Sequence, residues 1–182
     1  AGVVKFDSVR PGRKFEGYGS LSFGTYSTVN LEGVVNAPLS ETTAVRVSLL
    51  HQTRDDWVRN TFAPGLTQDF EGYRDTAARA QLLYAPHKDF SALFNVHARN
   101  LDGSARLFRA NIIERGSNEL VAGFDPKTIS TDGKNEQSLD SKGANARLRW
   151  GLGDLALYSI TGYESLDMFA RGDVDGGFGA SF

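Results

Sequence analysis

Apolar and polar residues alternate with a period of two along much of this chain. From Val45 the apolar positions are Val45, Val47 and Leu49, against Arg46, Ser48 and Gln52. From Phe90 they are Phe90, Ala92, Phe94, Val96 and Ala98, against Ser91, Asn95, His97 and Arg99. From Ala144 they are Ala144, Ala146, Leu148 and Trp150, against Asn145, Arg147 and Arg149. Leu82 and Tyr84 stand opposite Arg79 and Gln81 in the same way. Successive side chains of a strand point to opposite faces, so each segment predicts a β-strand with one apolar face and one charged or amide face. A soluble sandwich alternates too. These runs, however, persist for roughly 10 residues or more, the length of a tilted membrane-crossing strand.

The pattern predicts seven strands, near 14–24, 29–38, 43–59, 72–85, 89–100, 141–151 and 154–168. Tight turns are expected around Pro38-Leu39-Ser40-Glu41, Pro86-His87-Lys88-Asp89 and Gly151-Leu152-Gly153-Asp154. The opposite strand ends carry longer segments, near 60–71 and 101–140, with Gly24-Thr25-Tyr26-Ser27 a short exception. Short turns at one end and long loops at the other are the habit of outer-membrane barrels. The 101–140 segment is rich in Asp, Ser, Asn and Gly and reads as a long external loop, with an ordered piece at Leu107–Arg115. Aromatics gather near strand ends: Trp57, Phe62 and Tyr73 at the loop side, Tyr84, Phe90 and Trp150 at the turn side. Two interfacial girdles would give that distribution, as would strand-end packing in a soluble core.

Composition agrees with many strands joined by turns. There are 20 Gly, 12 Phe and 6 Tyr but only 5 Pro, which argues against a linker or a disordered tail. A formal net charge of −2 and a pI of about 5.9 offer no cationic surface, so nucleic acid is not an expected partner. Cys is absent, which removes disulfides, thiol nucleophiles and cysteine metal sites. No apolar run approaches the ~20 residues of a transmembrane helix, a statement that leaves membrane-crossing strands open. The opening residues show no charged-plus-apolar leader, so the chain is expected either to be cut from a longer precursor or not to be exported.

Several segments resemble TonB-dependent outer-membrane receptors. Gly2-Val3-Val4-Lys5-Phe6-Asp7-Ser8-Val9-Arg10-Pro11 is similar to the end of that family's plug domain, with Lys5, Asp7 and Ser8 departing from its usual residues. Phe15-Glu16-Gly17-Tyr18-Gly19-Ser20 and Phe23-Gly24-Thr25-Tyr26 look like the first barrel strand. Glu32-Gly33-Val34-Val35-Asn36-Ala37-Pro38-Leu39-Ser40 resembles the second strand and first inner turn, Ala44–Ser48 the next strand, and Ser159-Ile160-Thr161-Gly162-Tyr163 a later one. The resemblance implies residues 1–12 as the last plug strand. Residues 13–182 become the N-terminal part of a barrel of about 22 strands around a plugged lumen. The expected fold is therefore all-β, antiparallel transmembrane strands forming part of a large outer-membrane β-barrel.

The same resemblance implies active uptake of a scarce nutrient, such as an iron chelate, vitamin or oligosaccharide, across the outer membrane of a Gram-negative bacterium. Its partners would be outer-membrane lipid, the nutrient, and the TonB complex through plug residues outside this chain. No catalysis and no cofactor are expected. His51, His87 and His97 lie on separate elements, and neither H-E-x-x-H, G-x-S-x-G nor a P-loop occurs. Asp173-Val174-Asp175-Gly176 starts like a calcium loop but lacks the later ligands and reads as a polar turn. Arg171-Gly172-Asp173 spells an adhesion tripeptide that carries no weight by itself. The candidate lumen-facing residues, for plug or substrate contact, are Glu32, Arg46, Arg79, Asn95, His97, Arg99, Arg147 and Arg149. Facing lipid, such charges cost a few kcal/mol each near the bilayer midplane, whereas a polar lumen tolerates them. The arginines are expected to pair mainly with plug residues and with carboxylates such as Glu32. The competing expectation is a soluble or cell-surface β-sheet binding module, for example for carbohydrate, whose apolar stripes would have to meet a second sheet. A simple porin is a third, which the plug-like opening segment disfavours.

Overall fold

The computed structural model describes residues 2, 4, 7–62, 68–104 and 106–177. Parts of two expected features, Val3, Lys5 and Phe6 of the plug-like segment and 63–67 of the first long loop, lie outside the described residues. Seven strands form one antiparallel sheet in sequence order: β1 (Glu16–Gly24), β2 (Thr28–Pro38), β3 (Thr43–Arg54), β5 (Tyr73–His87), β6 (Phe90–Gly103), β8 (Glu136–Leu152) and β9 (Leu155–Arg171). Two short strands, β4 (Arg59–Asn60) and β7 (Thr128–Ile129), pair in parallel in the loop layer. No helix occurs among the described residues.

Each predicted strand is present, with bounds that shift for physical reasons. The segment expected as one strand over 43–59 ends at Arg54, after which the chain leaves the sheet to build the loop layer. Strand β8 begins at Glu136, five residues before the predicted 141, because Glu136–Asp140 is paired throughout although Leu139 is its one apolar side chain. The tight turns sit where expected. Leu39 and Ser40 donate to Thr43 O at 2.8 and 3.1 Å, and Gly153 turns β8 into β9 at φ 65°. At the other end Tyr26 and Ser27 hold left-handed φ values of 58° and 52°, which L residues rarely adopt. The hairpin keeps them because Tyr26 packs on Trp57 at 5.9 Å and its carbonyl accepts from Asp55 N at 2.9 Å.

Most of the sheet is a single layer. Its accessible area is 12808 Å², against roughly 8,600 Å² for a compact monomer of this mass. The cluster of fully buried apolar residues lies off the sheet, in the loop layer, where Val58, Phe70 and Ile129 pack with Trp57 and Leu107. Asn60 Nδ2 donates to Thr131 O at 2.9 Å, and Gln68 Nε2 to Asn135 O at 2.9 Å, tying the loop after β3 to the loop after β6. The 104–135 segment is thus an ordered cap and contains the bridge Ile113–Leu120.

The register divides the sheet into two faces. One face carries Val35, Val47, Ala80, Val96, Ala144 and Tyr163 in a line across six strands. The next line toward the turns carries Ala37, Val45, Leu82, Phe94, Ala146 and Thr161. Phe94 and Val96 are about half exposed, with nothing packed over them among the described residues. The apolar band on this face does not follow the register. On β1 and β2 it extends to Phe23 and Val29, whose partners further along the same line are Arg74 and Asp102. On β8 it has ended by Lys142, in line with Ala98, Ala78 and Leu49. The boundary steps between β2 and β3 and again between β6 and β8, an average of roughly one residue per strand over the sheet, which at ~3.4 Å per residue and ~4.8 Å between strands corresponds to a tilt of roughly 35°.

The aromatic expectation holds at one end only. Tyr84, Phe90 and Trp150 form an edge-to-face row on the apolar face at the turn side, with centroids 6.4 and 6.3 Å apart. Trp57 and Tyr73, expected in a second girdle, do not join one. Trp57 packs into the loop layer, and Tyr73 lies on the polar face beneath the Arg54 guanidinium, 5.0 Å from the ring centre.

The segment before β1 lies on the polar face, and one side chain fixes its last residues. Asn36 is fully buried; it accepts from Gly12 N at 2.8 Å and donates to Gly12 O at 2.9 Å and Lys14 O at 2.5 Å. Only an amide offers both an acceptor and two donors in that geometry. In the full-length protein, Asn36→Ala should cost about 1–3 kcal/mol in urea denaturation, since three part-buried hydrogen bonds to the backbone are lost. Asn36→Asp should cost at least as much, because it sets a carboxylate against two carbonyl oxygens. A wild-type midpoint for Asn36→Asp would contradict this account.

Candidate functional site

All eight sequence-predicted residues fall on the face opposite the apolar band. Their lines run Glu16, Asn36, Arg46, Gln81, Asn95, Asn145, and then Tyr18, Val34, Ser48, Arg79, His97, Gly143, Glu164. Glu32 and Arg99 lie one line toward the loops, Arg147 and Arg149 toward the turns. Alternation puts them there, since every one is separated from the others by an even number of register steps.

The structure brings four of the eight together: Arg79, Asn95, His97 and Arg147 surround the segment that leads into β1. Arg79 Nη1 donates to Ser8 Oγ, and Arg147 Nη1 lies 3.5 Å from Asp7 Oδ1. Both contacts join arginines of this face to the segment before the first strand. The other four are engaged elsewhere. Arg99 makes a two-pronged bond to Asp75, Nε to Oδ1 at 3.0 Å and Nη2 to Oδ2 at 2.8 Å. Arg149 Nη1 donates to Lys88 O at 3.1 Å in the turn. Glu32 was expected to balance the arginines; it accepts instead from the Tyr18 hydroxyl, while Arg46 pairs with Glu16 at 3.3 Å. The cause is register: Glu16 stands in line with Arg46 across β2 at Asn36, whereas Glu32 sits four residues along β2 from that line.

The most constrained pair is His97 with Glu164. His97 is on β6 and Glu164 on β9, with β8 between them. Their side chains meet above Gly143, Nε2 to Oε2 at 3.0 Å. A Cβ at Gly143 would overlap the Glu164 carboxylate and come within 2.7 Å of His97 Cε1. Asn95 Nδ2 lies 3.3 Å from His97 Nδ1, so the imidazole is held at both nitrogens. Because Nε2 faces a carboxylate, it carries the hydrogen of that contact. Sequence reasoning placed His97 on this face. It missed Glu164 because the two are 67 residues apart, and it missed the glycine because nothing local requires one in the middle of a strand.

No group of three or more His, Asp or Glu side chains is placed to hold a metal among the described residues. Asp173, from the calcium-like stretch, accepts from Thr131 Oγ1 and from Asp175 N at 3.2 Å, closing the polar turn after β9. His51 bonds Thr76 on the opposite face at 2.8 Å, so the histidines do not converge. The arrangement can bind and orient charged or polar groups; no nucleophile–base pair is assembled on it.

No protein-family model matches the chain, and no curated protein matches it by sequence. In shape it is similar to part of the ferric yersiniabactin uptake receptor FyuA from Yersinia pestis, with a TM-score of 0.69 at 14% identity. The match covers 90% of this chain and 25% of that receptor's chain. It shows an all-β, antiparallel fold shared with a stretch of a transport receptor.

Introducing Gly143→Ala into the full-length protein should destabilise it by about 1–3 kcal/mol through overpacking against the pair. In a Glu164→Ala background His97 is free to turn away, and most of that penalty should vanish in a double-mutant cycle. Additive penalties would mean that the glycine serves some other purpose.

Proposed function

We propose that this chain is a stretch of wall from a TonB-dependent outer-membrane receptor that imports a scarce nutrient, such as an iron chelate, vitamin or oligosaccharide. In this reading the chain comprises the end of the plug, residues 1–12, and about the first seven barrel strands. The observation that carries it is the two-faced single layer: an apolar face with an unpacked, slanting band, and a polar face against which the segment before β1 is bonded. A slant of one residue per strand is what tilted strands need to keep a level apolar belt, and closed barrels tilt their strands by ~35–45°.

The belt faces outer-membrane lipid, and the long loops with their ordered cap lie outside the cell. The polar face lines the lumen and meets the plug. Likeness in shape to an iron-chelate uptake receptor supports the transport role over catalysis. Energy would come from the TonB complex through a plug segment outside this chain. A soluble carbohydrate-binding sheet is the weaker reading, because Phe94, Val96 and Trp150 would then need a covering layer and are about half exposed.

The test is uptake by cells expressing the full-length protein, offered a panel of labelled ferric chelates, cobalamin and oligosaccharides. One of them should accumulate, and its accumulation should stop when TonB is deleted. Accumulation that persists without TonB, or none from the whole panel, would contradict the proposal.

A further inference from the structure

Toward the turns, one register line of the polar face is apolar over much of its length. It runs Ala44, Leu83, Leu93, then Arg147, then Ile160 on β9. Its members differ in cover. Ala44 is 3% and Leu93 6% exposed, and Leu93 faces Asp7, Ser8 and Arg10 across a cavity of about 200 Å³. Ile160 is 73% exposed, and Tyr158, two residues along β9 on the same face, is 66% exposed. The open edge of β9 accounts for unpaired backbone groups. It gives no reason for large apolar side chains on the face that carries Arg147 and Arg149, where such a patch marks a contact. The other face of β9 is apolar too, at Leu157 and Tyr163, and a strand apolar on both faces is one that is covered on both.

The path of the segment before β1 identifies the cover. From β1 back toward the chain start, its bonds cross the polar face from strand to strand. Gly12 and Lys14 are held by Asn36 of β2, Ser8 by Arg79 of β5, and Asp7 by Arg147 of β8. The next strand in the sheet is β9, and Ile160 is the register partner of Arg147 itself. Strands lie ~4.8 Å apart and an extended chain advances ~3.4 Å per residue, so one or two residues before Asp7 span the distance to β9. That stretch has an apolar group to offer, since Val4 is 80% exposed.

We propose that in the full-length protein the stretch of chain preceding Asp7 continues along this path and packs an apolar side on Tyr158 and Ile160. The inner face of β9 is its seat. An interface that begins with the hydrogen bonds of Asn36 and the ion pair of Arg147 thus ends in apolar burial one strand further on. The inference rests on the reading of the sheet as a barrel wall, and adds which residues of that wall receive the preceding chain and by what force.

Photo-cross-linking in the full-length protein, embedded in lipid, tests this without any transport step. A benzophenone amino acid replaces Tyr158, Ile160 or Tyr163, one at a time, and mass spectrometry identifies what each captures. The Tyr158 and Tyr163 replacements exchange one exposed aromatic for another, so the test does not depend on the Ile160 variant folding. Positions 158 and 160 should capture peptides from the chain preceding Asp7. Position 163, on the opposite face of the same strand, should capture lipid acyl chains. If position 163 captures lipid while 158 and 160 capture peptides following Arg171, lipid, or nothing, the seat on β9 is overturned and the wall reading stands. If position 163 captures no lipid, the wall reading fails and the proposal built on it fails too.

Discussion

Sideways pairing of the backbone is the constraint on which the rest of this structure depends. Seven strands bond only to their chain neighbours, from β1 to β9, so each N–H and C=O inside the sheet finds a partner without a second layer. That frees both faces from the duty of building a core. In water a single layer with Phe94, Val96, Leu49 and Trp150 uncovered would be unstable, because apolar burial supplies most of the driving force for folding. In the proposed membrane setting lipid would cover these side chains and pairing covers the backbone of β2 to β8, while the outer edges of β1 and β9 would need further strands. The buried apolar cluster lies instead in the loop layer, around Val58, Phe70 and Ile129.

The polar face obeys a different rule. Charges there must find partners or water, and they do so across strands. Arg99 grips Asp75, Arg46 reaches Glu16, and His97 meets Glu164 over a glycine. Asn36 does the same for backbone, anchoring the segment before β1 at Gly12 and Lys14. Four and five residues nearer the chain start than Gly12, Ser8 and Asp7 are taken by Arg79 and Arg147. The polar wall and this segment thus form one bonded unit.

Strand identity and face were legible in the sequence because the side-chain period is two and the apolar residues keep it over long runs, as at Phe90–Ala98 and Ala144–Trp150. Turn ends were legible from Pro, Gly and Asp clusters. What alternation cannot carry is register. The partners of His97 and Arg99, and the displacement of Glu32 from Arg46 to Tyr18, depend on which residues of different strands stand in line. Strand extensions past the apolar band were invisible for a related reason: Glu136–Asp140 is paired, but a single Leu139 makes no alternating apolar run to betray it. Trp57 misled because an aromatic near a strand end reads alike whether it faces an interface or fills a loop core.

The slant of the apolar band joins these observations, for it links the register to a level membrane and a tilted strand. Leu31 on β2 and Asp140 on β8 occupy the same register line, through His51, Thr76 and Asn100. Spin labels at these two positions in the full-length protein, reconstituted in lipid, measure the slant directly. The account predicts that the label at 31 is relaxed mainly by lipid-soluble oxygen and the label at 140 mainly by an aqueous nickel chelate. Equal depth at both positions would mean strands standing upright to the membrane, and a water-exposed label at 31 would remove the lipid-facing wall altogether.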